Sequence, residues 1–442
     1  MSGFEIALIS VVAMIVLIYL GMHVAIVLAL VSFVGVWVIR GDFDIATTHL
    51  WSAASKTVNS SIFAVVPLFI LLGNLAGAAG LGRDTYDLAH RLAGRVRGSL
   101  AIGTVVANAI FAAITGVSVA SAAIFAKLSV PEMLRHGYRA RFAVGAVAGS
   151  SVLGMLIPPS VLLIVYGIIA EQSIGDLFIA GIGPGLLLTA AYSGFILIMA
   201  YRYPRFVTES GSFESEMKAR DSSTRRFWGE VIPVASLVLI VLGGIYSGVF
   251  TAIEAAAAGA FAALIIALLR RAMTWRNTIE ILKESGSVTA VVLFLIVGAS
   301  MYSRMLGVSG LPTEISNWVV NMEANYWVLM ALYVVIVVIL GTLIDSISIM
   351  LIMVPIFVIV LKPFDVDLVW FGIVTVIAAE IGLLTPPFGL SVFVVHSALA
   401  RPDIPLKDVF MGSAPFALVM GVVLLLVILF PPIVTYLVYV RF

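Results

Sequence analysis

Two stretches of the sequence place a pair of prolines and a glycine inside otherwise apolar runs. The first covers residues 154–160 and contains Pro158-Pro159, and the second covers residues 382–389 and contains Pro386-Pro387. Because proline has no amide hydrogen and disfavours helix in the residue before it, a helix that enters either stretch must break there. Carbonyl oxygens freed at membrane depth are tolerated only in protein interiors or along cavities, and they suit a hard cation such as Na⁺. The sequence therefore predicts two cation-binding breaks.

Small and polar residues also interrupt two longer apolar segments. The segment 99–130 is interrupted around Gly116, and the segment 327–361 is interrupted over residues 341–348. The arms beside the first interruption, about 12 to 16 residues each, would be roughly 18 to 24 Å long and would not cross a core of about 30 Å. Both segments are therefore predicted to be re-entrant helical hairpins with polar tips.

Three charged residues lie where the membrane interior is expected. Asp345 falls in the second interruption; a charge there costs at least about 2.5 to 3.5 kcal/mol, so it should face a cavity, an ion or a partner. Glu380 precedes the second proline break, where it could serve the site or act only as a structural acceptor. Arg304 ends an apolar run; it could simply extend to the interface, yet a guanidinium is the natural partner of a carboxylate substrate.

The composition indicates an integral membrane protein. Of 442 residues, 62% are hydrophobic and 11% are charged, whereas an ordinary soluble domain has about 25% charged residues. A net charge of +1 with dispersed basic residues argues against nucleic acid as a partner. The absence of cysteine excludes thiolate metal sites and cysteine nucleophiles, and the five histidines share no metal-ligand spacing. We expect no cofactor, with Na⁺ as a coupling ion.

Many stretches are long and apolar enough to span a lipid bilayer as helices. The predicted segments are 4–20, 23–39, 58–81, 99–130, 142–170, 177–201, 231–249, 252–270, 285–306, 327–361, 370–398 and 410–440. Basic residues cluster in the connections 83–97, 127–141, 202–226, 270–283 and 401–407. These connections share one face if both hairpins enter and leave on the same side, and the positive-inside rule makes that face cytoplasmic. Both termini then lie outside, and the first segment reads as a retained helix because no cleavage site follows it.

The two halves of the sequence resemble each other at an offset of 228 residues. Three matches carry the comparison: Ser118 with Ser346, Gly154 with Gly382, and Pro158-Pro159 with Pro386-Pro387. Internal repeats are common in transporters, and one hairpin opening inward with the other opening outward would make these repeats inverted. The polar stretch 202–226 divides the halves. The expected fold is an all-α polytopic membrane protein with inverted repeats, two re-entrant hairpins and two broken helices.

Five ordered motifs resemble the large membrane subunit, of the M or DctM type, of the tripartite ATP-independent periplasmic (TRAP) transporters. They are Pro131-Glu132-Met133 with Gly137-Tyr138, then residues 154–160, 181–185, 248–256 and 382–389. The resemblance covers nearly the whole chain. The sequence departs from the family at the first hairpin tip, where it has Thr115, Val117 and Ser118 instead of a richer set of serines, so backbone ligation is expected more than side-chain ligation there.

The resemblance implies an elevator-type secondary transporter that imports an organic acid, a carboxylate or sialic-acid-like molecule, together with Na⁺. It further implies a periplasmic substrate-binding protein (P), a small four-helix membrane subunit (Q) and a multi-pass location in the bacterial inner membrane. Placed by the motifs, one Na⁺ site comprises Thr115, Gly116, Ser118, Gly154 and Pro158, and the other comprises Asp345, Ser346, Gly382, Thr385 and Pro386. The candidate substrate-binding residues are Thr115, Ser118, Ser160, Arg304 and Asp345.

In this interpretation scaffold helices occupy residues 1–98 and 177–306, the latter including the mid-chain cytoplasmic loop. Transport elements occupy 99–176 and, with a connecting segment, 307–400, and residues 401–442 form a C-terminal helix. A stand-alone Na⁺/dicarboxylate or citrate symporter is the nearest alternative. An intramembrane hydrolase or acyltransferase is disfavoured, because the sequence has no His-Glu-x-x-His motif and no convincing pairing of serine with histidine. We therefore expect a transporter and not an enzyme.

Overall fold

The computed structural model describes residues 2–94, 96–213, 224–311, 314, 317 and 325–440. These residues are almost entirely helical, and the β-pairing among them is one isolated bridge between Tyr138 and Thr208. In chain order the helices are α1 (Gly3–Tyr19), α2 (Val24–Arg40), α3 (Phe43–Val58), α4 (Val65–Ala78), α5 (Leu81–Leu92), α6 (Ser99–Thr115), α7 (Ser118–Arg135), α8 (Ala140–Ser151), α9 (Leu153–Leu156), α10 (Val161–Ile169), α11 (Ile174–Arg202), α12 (Pro204–Val207), α13 (Thr224–Val238), α14 (Gly244–Tyr246), α15 (Ala252–Leu269), α16 (Trp275–Val308), α17 (Tyr326–Gly341), α18 (Ser346–Leu361), α19 (Leu368–Gly382), α20 (Leu390–Leu399), α21 (Leu406–Leu429) and α22 (Pro432–Tyr439). Short 3₁₀ helices cover Ser61–Ala64 and Lys362–Phe364, and a π-helical turn covers Leu239–Gly243.

Within the described residues, seven helices are long and apolar enough to cross a bilayer. The pair made by Ala140–Leu156 and Val161–Ile169 is bent by 42° and raises the number to eight if it counts as one span. Shorter apolar helices, among them α6, α17, α19 and α20, lie beside the interruptions and breaks. The expectation of a polytopic all-α membrane protein is thus confirmed at this level.

Several predicted boundaries are wrong. The arms of the first hairpin, α6 and α7, have 17 and 18 residues, so they exceed the predicted 12 to 16. The helix continues past Pro131 to Arg135, because a proline near the last turn removes one hydrogen bond without ending the helix. The predicted segment 410–440 is instead two helices with a turn at Phe430, just before Pro431-Pro432. The predicted segment 285–306 begins ten residues earlier, at Trp275.

Two helices lie where only connections were predicted. The polar helix α3 follows α2, and α5 carries charged residues among buried ones. Leu81, Thr85, Leu88 and Ala89 of α5 are buried at helical spacing and face the protein. A search for long apolar runs misses such a helix, because its apolar residues are confined to the one face that packs against the protein. Residues 214–223 of the polar stretch 202–226 lie outside the described ranges.

The repeat inferred from a few residues extends to the order of the helices. Val24, Ser118 and Ala140 each begin a helix, and the residues 228 positions later, Ala252, Ser346 and Leu368, each begin one too. By the same offset α6 corresponds to α17, α10 to α20 and α11 to α21. The two halves therefore share one sequence of elements: an interrupted hairpin followed by a broken helix and a long helix.

Helices from the two halves pack in reciprocal pairs. The second arm of the first hairpin, α7, packs on α20, and its counterpart α18 packs on α10. Likewise α2 packs on α16 while α4 packs on α15, and α8 packs on α21 while α11 packs on α19. Each broken helix thus contacts the hairpin of the other half, which brings both hairpin tips and both breaks into one region of the molecule.

Candidate functional site: two hairpin tips and two helix breaks

The tip of the first hairpin is clamped onto the first break. Gly116 ends α6 with a φ of +66°, and its carbonyl accepts a hydrogen bond of 3.2 Å from the amide of Val161 at the start of α10. A Cβ atom on Gly116 would overlap the carbonyl oxygen of Pro159, and one on Gly154 would lie 2.9 Å from the amide nitrogen of Ser118. Only glycines allow main chain to approach main chain this closely. The predicted proximity of this tip to this break is therefore present in the structure.

The polar side chains of the first break are buried. Ser160 caps α10: its Oγ donates to the carbonyl of Met155 at 2.5 Å and accepts from the amide of Leu163 at 3.2 Å. Thr115 Oγ1 donates to the carbonyl of Phe111 at 3.0 Å. Both hydroxyls thus satisfy local main-chain groups. Together with Pro158 and Ser118 they form an enclosed polar site, with Pro158-Pro159 joined by a cis peptide bond.

The second break meets its own hairpin more openly. A Cβ atom on Gly341 would lie 2.8 Å from Cα of Gly382, so α17 and α19 touch through their backbones. The amide of Phe388 donates to the carbonyl of Thr342 at 3.1 Å. Thr385 Oγ1 donates to the carbonyl of Ile381 at 2.8 Å, and Pro386, which joins the next proline through a cis bond, is exposed.

Asp345 has a structural role that the sequence analysis did not assign. It is the N-cap of α18: its Oδ1 accepts from the amide of Ser348 at 3.0 Å and its Oδ2 accepts from the Ser348 hydroxyl at 2.5 Å. A carboxylate at a helix start satisfies free amides and complements the helix dipole. The side chain is half-buried and lines a cavity of about 410 Å³ with His23 and Ser287.

Glu380 is the fully buried acid of this region. Its Oε1 accepts a hydrogen bond of 2.8 Å from Ser346 Oγ at the second hairpin tip. Ser118 of the first hairpin tip faces the same carboxyl group. Within the described part of the chain, Glu380 Oε2 and Ser118 Oγ are buried without a hydrogen-bond partner. One side chain on α19 therefore stands between the two hairpin tips.

Sequence reasoning missed this bridging position. Glu380 lies two residues before the second Gly/Pro-Pro motif, which made it a candidate, but its partner in the first repeat is Val152, so the repeat gave no support. Tyr192 of α11 is also buried in this part of the molecule, and its hydroxyl has no hydrogen-bond partner among the described residues. No sequence motif marks Tyr192, because one tyrosine in a long apolar helix is unremarkable.

Arg304 lies apart from the hairpin tips. Near the end of α16, it donates from Nη1 to Ser52 Oγ of α3 at 3.2 Å, and it lines a cavity that no hairpin-tip residue lines. The structure therefore brings Thr115, Ser118 and Ser160 together at one break and places Ser118 near Glu380, which accepts a hydrogen bond from Ser346. It does not bring Arg304 to them.

The oxygen atoms of the site are of the type that hard cations bind. In the described ranges no group of three or more His, Cys, Asp or Glu residues lies together. The available ligands are the carbonyls at the hairpin ends and breaks, the serine hydroxyls and the free Glu380 oxygen. Such oxygen sets suit Na⁺ better than a transition metal.

Comparison with known proteins identifies relatives over most of the chain. The family model described as "Tripartite ATP-independent periplasmic transporter, DctM component" matches residues 11–433. The C4-dicarboxylate TRAP transporter large permease protein DctM of Pseudomonas aeruginosa is 34% identical over 367 residues, which cover 83% of each chain. The sialic acid TRAP transporter large permease protein SiaM of Vibrio cholerae is 32% identical and covers 85% of each chain.

More distant similarity extends to a solved structure. The Ectoine/5-hydroxyectoine TRAP transporter large permease protein UehC of Ruegeria pomeroyi is 30% identical over 96% of each chain. The crystal structure of the Alcanivorax borkumensis YdaH transporter matches with a TM-score of 0.64 at 15% identity, covering 88% of this chain and 89% of that one. This last likeness concerns the fold alone. The match of the family model and the identities of the relatives show that the chain belongs to the DctM family, the large permease component of the tripartite ATP-independent periplasmic transporters.

Proposed function

We propose that this permease imports an organic acid together with Na⁺, and that the region between the two hairpin tips is the transport site. The observation that carries the proposal is the convergence of both tips on Glu380, next to two helix breaks at which a Pro-Pro pair removes two amide donors. The relatives are named as permeases for C4-dicarboxylates, sialic acid and ectoine. The shared carboxylate group of such solutes defines the proposed substrate class.

The chain's own residues supply the coupling. Bound Na⁺ would bring positive charge to the serine, carbonyl and Glu380 oxygens at the tips. A site made of carbonyls, hydroxyls and one carboxylate repels an anion, so neutralisation of the site favours binding of the organic acid. The proposed ligands are those of the two hairpin-and-break pairs, with Ser118 and Ser346 facing each other across Glu380.

The reciprocal packing supports an elevator movement. The pairs α7 with α20 and α10 with α18, which make up the first set, each join a hairpin of one half to the broken helix of the other half. The pairs α2 with α16 and α4 with α15 form a second set. In the proposed mechanism the first set moves as a unit against the second, which stays fixed in the membrane and exposes the site to one side at a time.

We further propose that the permease works in the bacterial inner membrane with a small four-helix membrane subunit and a periplasmic binding protein that delivers the acid. The test is uptake of a panel of labelled organic acids into liposomes that contain both membrane subunits, with the cognate binding protein outside. Uptake should require Na⁺ and the binding protein and should stop when K⁺ replaces Na⁺. Equal uptake in K⁺ would contradict the coupling. Equal uptake without the binding protein would favour a stand-alone symporter.

A further inference from the structure

A second polar cavity lies beside α16. Its volume is about 550 Å³, within the range of small-molecule sites. One wall is α16, with Ser300, Ser303 and Arg304, and the opposite wall is the end of α10 with the turn that follows it. The stretch from Lys56 to the short 3₁₀ helix after α3 closes the remaining side.

The charges that line this cavity favour an anion. Arg304 and Lys56 contribute two positive charges, and Glu171 is the one carboxylate among the lining residues that the structure describes. Over the described ranges no carboxylate lies within ion-pair distance of Arg304 or Lys56, and the one hydrogen bond of Arg304 goes to the neutral hydroxyl of Ser52. The donors of Arg304 that remain free are suited to a carboxylate, which a guanidinium binds through two parallel hydrogen bonds.

His49 lies near the positive charges of Arg304 and Arg40. His49 lies on α3, which is outside the membrane-spanning helices. Burial, followed by the charges of Arg304 and Arg40, lowers the pKa of His49 below its usual range. The lowered pKa disfavours the protonated form of His49, so His49 does not add to the positive charge of Arg304 and Arg40.

The elements around the cavity belong to one face of the membrane. With the basic connections assigned to the cytoplasm, the end of α3, the turn after α10 and the end of α16 all fall outside. Ser303 and Lys56 are exposed, so the cavity opens to the surface of the chain.

We propose that this cavity is an outward-facing subsite for a small organic anion, held through its carboxylate by Arg304 and Lys56 with the hydroxyls of Ser60, Ser300 and Ser303. It is separate from the site at the hairpin tips, since no residue lines both. The further role of the cavity, as the first site that an imported acid occupies, rests on the proposed function. Binding of an anion in the cavity does not depend on the proposed function.

The absence of cysteine from the chain allows a test that does not need the natural substrate. Ser303→Cys introduces a single thiol into the cavity of the full-length protein, in liposomes with its small subunit. The rate of its modification from outside is measured with a small anionic reagent, sulfonatoethyl methanethiosulfonate, and with the cationic trimethylammonium analogue. The anionic reagent should react about ten-fold faster, at the low end of the effect of charge-lined clefts.

Removal of the charge should remove this preference. In the double variant S303C/R304Q the ratio of the two rates should fall towards one, whereas S303C/K362Q, which removes an exposed lysine outside the cavity, should keep it. Val249→Cys is the control for position, because Val249 is 70% exposed in another outer connection. The ratio of its modification rates with the anionic and the cationic reagent should not change in R304Q. Thermal unfolding curves identify any variant that fails to fold.

Competition by added anions distinguishes a specific carboxylate-binding site from non-specific attraction of anions by positive charge. Succinate and N-acetylneuraminate, tested at the same ionic strength as chloride, should slow modification of S303C at least several-fold more than chloride does if the cavity binds carboxylates. Equal slowing by chloride, an unchanged rate ratio in R304Q, or no modification by either reagent would each overturn the proposal. Failure of Na⁺-dependent uptake would instead overturn the proposed transport function and leave this result standing.

Discussion

The two helix breaks share one motif and one register but have different surroundings. At the first break Pro158, Pro159 and Ser160 are buried beneath the hairpin tip, whereas at the second break Pro386 and Phe388 are exposed. Ser160 caps the helix that follows it with its side chain, while its counterpart 228 positions later, Phe388, contributes only its backbone amide. The same break is thus enclosed in one half and open in the other.

This difference teaches that a repeat in sequence does not require equal roles. In the first half glycine contacts and a main-chain hydrogen bond hold the hairpin to the break, and Ser160 caps the helix that follows, which together favour a rigid unit. In the second half the ionisable residues Asp345 and Glu380 replace Val117 and Val152 of the first half. The first break is therefore expected to supply stability, and the second is expected to supply charge.

The largest effect is expected from Gly116→Ala. The left-handed φ of +66° and the overlap of the new Cβ with the Pro159 carbonyl should together lower the free energy of unfolding by about 2 to 5 kcal/mol. Gly137→Ala is the matched control, because Gly137 has a φ of +79° with open space where the Cβ would be. Thermal unfolding in detergent should show a clearly smaller loss for Gly137→Ala. Equal losses would mean that the clamp on the first break contributes nothing.

Glu380→Val makes the second half resemble the first at this position. The change leaves the Ser346 hydroxyl without its acceptor, and a buried unpaired hydroxyl costs about 1 to 3 kcal/mol. Glu380→Gln keeps an acceptor oxygen and should lose less stability, but it should weaken the stabilisation that Na⁺ gives to the protein. Both quantities come from thermal unfolding curves recorded in NaCl and in KCl. If Glu380→Val unfolds like the wild type in both salts, the carboxylate does not join the hairpin tips.

The third test compares Ser160→Ala with Phe388→Ala. Loss of the Ser160 cap should cost about 1 to 2 kcal/mol. The loss of a side chain that is 59% exposed should change stability by less than about 0.5 kcal/mol. Both variants are measured by denaturant or thermal unfolding. A larger loss of stability for Phe388→Ala than for Ser160→Ala would contradict the view that the first break is the more rigid of the two.

The smallest effect on stability is expected at Asp345. Asp345→Ala removes the N-cap of α18 and should cost about 1 kcal/mol, whereas Asp345→Asn keeps a capping oxygen and should cost only a few tenths. If the charge of Asp345 serves Na⁺ binding, both variants should reduce Na⁺-dependent uptake without unfolding the protein. Normal uptake by Asp345→Asn at limiting Na⁺ would show that Asp345 serves only as the N-cap of α18.

Much of this arrangement could be predicted from the sequence. Proline pairs identify both breaks, because no helix can continue through them with normal hydrogen bonds. Ser118 and Ser346, which the repeat offset pairs, each begin a helix that follows one of the predicted interruptions. The sequence could not show that Glu380 touches Ser346, since that contact depends on how α18 lies against α19 in three dimensions.

Side chains with two plausible roles could not be resolved from the sequence. Asp345 was singled out because a buried charge is costly, yet its carboxylate is half-buried and caps a helix, which relieves much of that cost. Arg304 was grouped with the hairpin residues on chemical grounds, but α16 ends beside α3 and α10. The type of a residue suggests its chemistry, whereas its location follows from packing over long separations along the chain.

The reciprocal pairing of helices between the two halves has a consequence for the order in which the halves can pack during synthesis. A polypeptide with the first half alone would have α7 without α20, α4 without α15 and α8 without α21. Each half therefore depends on the other for the neighbours of these helices. Because both halves belong to one chain, the first half can reach its final packing only after the second half has been synthesised.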